Sequence, residues 1–236
     1  MTELHRVLML SDEAATERFA SDMALALVPG DLVFLEGDLG AGKTTFARAL
    51  LRSLADDASY EVPSPTFTLV QDYPEVSPPV LHLDLYRLAD PDEVFELGLD
   101  DHLEYGAALV EWPSKGEGAL PAPTFRLRLK HAAEGVRSAH IHTVGDAGER
   151  LDRSFAVRAF LQTTPSKNAW RTPLKGDAAA RAYEVAGELG AHQRPILMNA
   201  PKLPDGPPIY DGLPYSQVVH LAEDVGPFVA VGQVLS

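Results

Sequence analysis

Residues 37–45 read Gly37-Asp38-Leu39-Gly40-Ala41-Gly42-Lys43-Thr44-Thr45 and satisfy the spacing G-x-x-x-x-G-K-[ST] at every fixed position. Each residue type has a chemical reason to stand there. Glycines let the backbone wrap an anion with its N–H groups turned inward, and the start of a helix adds partial positive charge. Lys43 is then placed to reach the β- and γ-phosphates of a nucleoside triphosphate, and the Thr44 hydroxyl to ligate Mg²⁺. The expected nucleotide contacts are Asp38, Leu39, Gly40, Ala41, Gly42, Lys43, Thr44 and Thr45. A glycine-rich turn that binds nothing is the bland alternative, and the flanks argue against it. Leu32-Val33-Phe34-Leu35 reads as a buried strand, and Phe46-Ala47-Arg48-Ala49-Leu50-Leu51 as the first turns of a helix.

The elements around this loop alternate between helix and strand. Residues 6–10 read as a strand, and Ser11-Asp12-Glu13 as the cap and acidic first turn of a helix reaching about Leu27, with Ala15, Phe19, Met23 and Leu27 on one face. The helix after the loop runs to about Leu54. Pro63 and Pro65 forbid helix across residues 62–70, whose tail favours strand. Residues 80–86 alternate as a strand with His82, Asp84 and Tyr86 on one face. Residues 90–103 look helical, 107–112 form an apolar strand, and 124–130 with 138–144 look like an antiparallel hairpin. Gly145-Asp146-Ala147-Gly148-Glu149 reads as a turn or linker, which places a boundary between domains 1–148 and 149–236.

Bulk composition narrows the function classes. The 236 residues are 45% hydrophobic, enough for a real core, and contain no cysteine, which excludes disulfides, thiolate metal sites and cysteine nucleophiles. A net charge of −14 argues against a broad nucleic-acid footprint, so no DNA partner is expected and RNA would be met through a local patch or a partner protein. No apolar stretch is long enough to span a membrane, and the expected compartment is the cytoplasm.

Four motifs then occur in order: residues 37–45, Ser64-Pro65-Thr66-Phe67, His82-Leu83-Asp84-Leu85-Tyr86-Arg87 and Glu111-Trp112-Pro113. Together they resemble the TsaE family, the small bacterial ATPase of tRNA threonylcarbamoyladenosine biosynthesis, over residues 1–148. The resemblance implies a phosphate-loop NTPase-like α/β domain, three-layered with a mostly parallel sheet, that binds ATP and Mg²⁺. It also implies action with TsaD-like and TsaB-like proteins, with tRNA met indirectly through that complex. Asp84, at a strand end beside the loop, is expected to hold Mg²⁺ or orient the attacking water, and Glu111 to orient or deprotonate water or share the metal with Thr44. Which of the two carboxylates activates water stays open. Ser64 and Thr66 lie on a proline-stiffened loop suited to covering a γ-phosphate, with Thr66 preferred. Trp112 is expected near the nucleotide from the family pattern. Ser114 stands where the family carries an acidic residue, which weakens any acidic role there. Arg87 is left open between pairing with Asp84, reaching a phosphate and facing a partner; His82 reads as a supporting residue, and no arginine finger is assigned, so hydrolysis by the chain alone is expected to be slow.

Residues 150–236 change character. Thr172-Pro173-Leu174-Lys175-Gly176-Asp177-Ala178-Ala179-Ala180-Arg181-Ala182-Tyr183 and Arg194-Pro195-Ile196-Leu197-Met198-Asn199-Ala200-Pro201 resemble the opening of an aminoglycoside/sugar phosphotransferase small lobe, with Ala179 and Asn199 in place of the family's serine and aspartate. No His-x-Asp-x-x-x-x-Asn segment follows, so this small α/β segment is expected to be an appendage or a partial kinase lobe rather than a working kinase. A small-molecule kinase fusion fragment and a nucleotide-gated binding module are the competing readings.

Overall fold

The first strand, β1 (Glu3–Leu10), alternates exposed and half-buried residues, the pattern of a strand with one covered face. The structure, a computed structural model, describes residues 3–174, 182–199, 208–210 and 213–214. Helix α1 (Glu13–Ala24) starts at Asp12, whose carboxylate accepts the Ala15 N–H at 2.6 Å. Strand β2 (Leu32–Glu36) follows the turn at Gly30, then come the glycine-rich loop and α2 (Lys43–Ala55). Next are β3 (Val70–Tyr73) and β4 (Val80–Asp84). The helix expected over 90–103 is broken: a 3₁₀ turn spans Pro91–Glu96 and α3 covers Leu99–Leu103, because Gly98 at φ 73° ends one and starts the other. Strand β5 (Ala107–Glu111) leads to the hairpin β6 (Phe125–Ala133) and β7 (Val136–Val144), α4 covers Ala147–Gln162, and β8 spans Trp170–Leu174.

Seven strands form one sheet in the order β1-β7-β6-β2-β5-β4-β3. The expectation of a mostly parallel sheet holds for the four central strands β6-β2-β5-β4. Both flanks are antiparallel, since the β6–β7 hairpin returns to β1 and β3 folds back on β4, so the sheet is mixed. Val33 and Leu35 of β2 point into one core with Phe19, Met23, Phe46 and Leu50, whereas Leu32 and Phe34 point into a second with Leu83, Val94 and Val110. Apolar layers on both faces are why the central strands read as continuous hydrophobic runs.

The boundary expected at residue 148 is corrected by the structure. The chain divides into Met1–Thr172 with Gly187–Gln193, and Pro173–Ala186 with Arg194–Ser236. Ionic contacts explain why 147–172 belongs to the first unit. Arg150 of α4 forks onto Asp31 at 2.7 and 2.9 Å. Arg158 of α4 and Arg171 share the buried carboxylate of Asp22 on α1, at 2.8 and 2.7 Å. A turn-forming Gly-Asp-Ala-Gly stretch is thus a tight connection between β7 and α4 rather than a linker.

In the second unit, β9 (Ala182–Gly187) pairs antiparallel with β10 (Ile196–Asn199), Ile196 facing Val185 and Asn199 facing Ala182. The Gly176-Asp177-Ala178-Ala179 loop and Pro201 of the phosphotransferase resemblance lie outside the described residues. Among the described residues no helix is long and apolar enough to cross a membrane.

Candidate functional site

Parallel register brings the candidate residues together. At the C-terminal edge of the sheet, Leu35 of β2 lies opposite Glu111 of β5, and Glu111 opposite Asp84 of β4. The chain leaving β2 enters the glycine-rich loop at this edge, and α2 begins at Lys43. Its first amides lack an intrahelical carbonyl partner, and the helix dipole places partial positive charge there. A cavity of about 280 Å³ opens between loop and edge, lined among others by Lys43, Thr44, Thr66, Asp84, Glu111 and Trp112.

The loop glycines serve the backbone. Gly42, the N-cap of α2, has φ 105°. Gly37 has φ 141°, and a Cβ on it would lie 2.4 Å from the Leu129 carbonyl oxygen of β6. Gly37→Ala is therefore expected to destabilise the fold by about 2–4 kcal/mol through backbone strain and displacement of the loop from β6. Urea denaturation measures this, and a loss below about 1 kcal/mol would refute it.

Lys43 is buried and bent back onto its own loop, donating to the carbonyls of Gly37 at 2.8 Å and Asp38 at 3.0 Å. Its ammonium also sits 3.7 Å from the centre of the Trp112 ring. Burial lowers its pKa from the ordinary lysine value, opposed by the nearby charges of Glu111, Asp84 and Asp38. Trp112 holds a left-handed backbone at φ 57° and meets Tyr86 in a tilted ring pair at 5.0 Å. It is the first residue after β5 and stands beside Lys43.

Both carboxylates are buried and held on two sides. Glu111 Oε2 accepts the Thr44 hydroxyl at 3.0 Å, and Oε1 lies 3.0 Å from His82 Nε2. His82 is completely buried. Asp84 Oδ2 accepts the Thr66 hydroxyl at 2.7 Å and that of Ser64 at 3.4 Å, and Oδ1 accepts the Tyr86 N–H at 3.0 Å. The expected sharing of one strand face by His82, Asp84 and Tyr86 ends at Asp84, where β4 stops, and Tyr86 is exposed. Arg87 stacks over the exposed Phe67 ring at 4.4 Å. Asp38 and Leu39 are exposed at the loop tip, and Thr45 lines the cavity behind Thr44. Ser114 lies away from these carboxylates, on a second cavity of about 920 Å³ that borders Gly37, Asp38 and Trp112.

Arg137, which the expected strand bounds 124–130 and 138–144 place in the hairpin turn, is the second residue of β7, because the turn is confined to Glu134-Gly135, with Gly135 at φ 72°. From there its Nε donates to the Ala41 carbonyl at 3.1 Å. The Glu-Gly pair was the local signal for a tight hairpin; nothing local tied Arg137 to a loop 96 positions upstream.

The span that holds these residues is matched outside this chain. The family model described as "Threonylcarbamoyl adenosine biosynthesis protein TsaE" covers residues 10–139, a span that includes all four motifs. A Rickettsia felis protein named tRNA threonylcarbamoyladenosine biosynthesis protein TsaE is 35% identical over 159 residues, which are 67% of this chain and 88% of that protein. The Haemophilus influenzae protein of the same name is 40% identical over 153 residues, covering 62% of this chain and 95% of the relative. The crystal structure of YdiB from Bacillus subtilis superposes with a TM-score of 0.56 at 29% identity, over 67% of this chain and 99% of that one. With the glycine-rich loop, the paired carboxylates and the sheet that aligns them all inside the matched span, this chain belongs to the TsaE family.

Proposed function

We propose that the chain binds ATP at the Gly37–Thr45 loop, hydrolyses it slowly, and serves tRNA threonylcarbamoyladenosine formation together with TsaD-like and TsaB-like proteins. The observation that carries this reading is the convergence of Lys43, Thr44, Asp84 and Glu111 around one loop at the C-terminal sheet edge. The nucleotide phosphates would take Lys43 from the Gly37 and Asp38 carbonyls and from Trp112. The adjoining larger cavity has room for the nucleoside end.

The residues fit Mg²⁺. Thr44, Asp84 and Glu111 offer hard oxygen donors, and Lys43 is the cation that faces both buried carboxylates. Among the described residues no three His, Asp or Glu side chains group into an all-protein metal site, which suits an ion completed by phosphate and water. When bound, Mg²⁺ would neutralise charge developing at the β–γ bridge. Thr44 and Glu111, already hydrogen-bonded to each other, are the pair that would hold it. Asp84, fixed by Thr66, Ser64 and the Tyr86 N–H, would orient the attacking water, with the 62–69 loop closing over it.

For residues 173–199, the antiparallel β9–β10 pair supports the small-lobe resemblance as an appendage. Among the described residues, those lining the smaller cavity fall between Leu39 and Arg137.

Trp112 supplies the direct test. Withdrawal of the Lys43 ammonium from its ring should change the intrinsic fluorescence as ATP·Mg²⁺ is titrated in, and Trp112→Phe should abolish the change. Phosphate release should be slow for the chain alone and rise at least about 10-fold when TsaD-like and TsaB-like proteins and tRNA are added. A chain that shows no saturable nucleotide response refutes the reading, as does turnover alone that equals turnover in the complex.

A further inference from the structure

We infer that Arg137 is a second cation of the phosphate site and clamps the nucleoside-proximal phosphates, on the flank opposite Asp84 and Glu111. The inference rests on the ATP-binding reading above. Arg137 reaches from β7 over the glycine-rich loop, where its Nε donates to the Ala41 carbonyl at 3.1 Å. It packs so closely on Gly42 that a Cβ there would lie 3.1 Å from Nε and 3.4 Å from Cδ. Gly42 therefore admits this side chain as well as the left-handed turn at φ 105°. Arg137 also lines the small cavity that holds Lys43, Thr44 and both carboxylates.

Three arginines of β6 and α4 are spent on carboxylates. Arg126 and Arg128 both pair with Glu36, and Arg150 pairs with Asp31. Arg137 forms no ion pair among the described residues, and its Nε bond leaves the terminal nitrogens for an incoming anion. A half-buried guanidinium beside a helix N-terminus is a strong receptor for phosphate oxygens, which it can bind in a fork.

Sheet order assigns the flank. The loop follows β2; Asp84 and Glu111 come from β4 and β5 on one side of it, and Arg137 from β7 on the other. The carboxylates would gather the metal, the water and the terminal phosphate. Arg137 on the far side meets the phosphates shared by ADP and ATP. It is thus a binding residue, with an effect on affinity for both nucleotides and little on turnover at saturation.

Three variants separate charge from loop support. Arg137→Gln keeps an N–H donor for Ala41 but no charge; Arg137→Lys keeps the charge and loses the planar fork; Arg137→Ala loses both. Wild-type ADP and ATP affinities are measured first by calorimetry, with the melting temperature of each unliganded variant as the folding control. Alanine and glutamine are expected to raise Kd for ADP and ATP alike by about 10- to 100-fold, lysine by less than about 5-fold, and kcat to stay within about 3-fold of wild type. Wild-type protein that binds no nucleotide overturns the ATP-binding reading and this inference with it. Wild-type binding that survives in all three variants overturns the inference alone, as does a fall in kcat at unchanged Kd. Glutamine binding like wild type while lysine fails reduces Arg137 to a support for the loop.

Discussion

Lys43→Ala is expected to weaken ATP and ADP binding by at least about 100-fold and to abolish hydrolysis, while leaving the fold intact. The first part follows from losing the cation that would face the β- and γ-phosphates in a partly desolvated cavity, a class of contact worth about 2–5 kcal/mol when one partner is truncated. The intact fold follows from the surroundings of Lys43. Its ammonium is buried, its pKa is lowered by that burial, and its partners are two loop carbonyls and a ring face rather than a carboxylate in direct contact. Removing it relieves desolvation as well as losing hydrogen bonds, so the melting temperature should move by no more than a few degrees. Calorimetric titration beside thermal denaturation reads both. Retained affinity would move the phosphate contact away from this lysine, and a collapse in melting temperature would make Lys43 a structural residue first.

The largest stability effect is expected far from the site. Asp22→Ala should cost about 3–5 kcal/mol, because two buried guanidiniums lose the carboxylate they share. Asp22 Oδ1 accepts from Arg171 Nη1 at 2.7 Å and Oδ2 from Arg158 Nε at 2.8 Å. Arg158 is 8% exposed and Arg171 0%, so water cannot replace the lost partner. Ser154 closes the cluster, donating to the Asp22 carbonyl at 2.6 Å and accepting from Arg171 at 2.9 Å. The cluster ties α1 to α4 and to the residues entering the strand that begins at Trp170. Urea denaturation should show a lower midpoint at unchanged slope, with Asp22→Asn intermediate because it keeps an acceptor of the same shape. A loss of less than about 1 kcal/mol would mean that the cluster relaxes toward solvent and that 150–172 is only loosely attached to the first unit.

Local chemistry was legible in the sequence wherever it is carried by neighbours in the chain. The loop 37–45 announces itself because the phosphate binding proposed for it needs consecutive backbone groups, fixed by glycines and the start of α2. Asp84 and Glu111 were legible as strand-end carboxylates, and the buried strands as continuous apolar runs. The broken helix at Gly98 was less so, since a single left-handed residue interrupts a composition that otherwise favours helix. The boundary was misplaced for a related reason. A turn sequence at 145–149 looks alike whether a linker or a packed helix follows, and the deciding contacts reach back to Asp22 and Asp31.

The sequence by itself determined the family and singled out the glycine-rich loop and the residues proposed to act with it, because each is written in short-range spacing. Only the tertiary structure decided their relations: Glu111 locked between His82 and Thr44, Lys43 parked on Trp112, and Arg137 laid over Gly42. Those relations depend on parallel register and on a hairpin return, which set residues dozens of positions apart within hydrogen-bonding distance. Pairing of that kind is selected by the burial of two whole sheet faces, a sum over many residues that no local stretch of sequence contains.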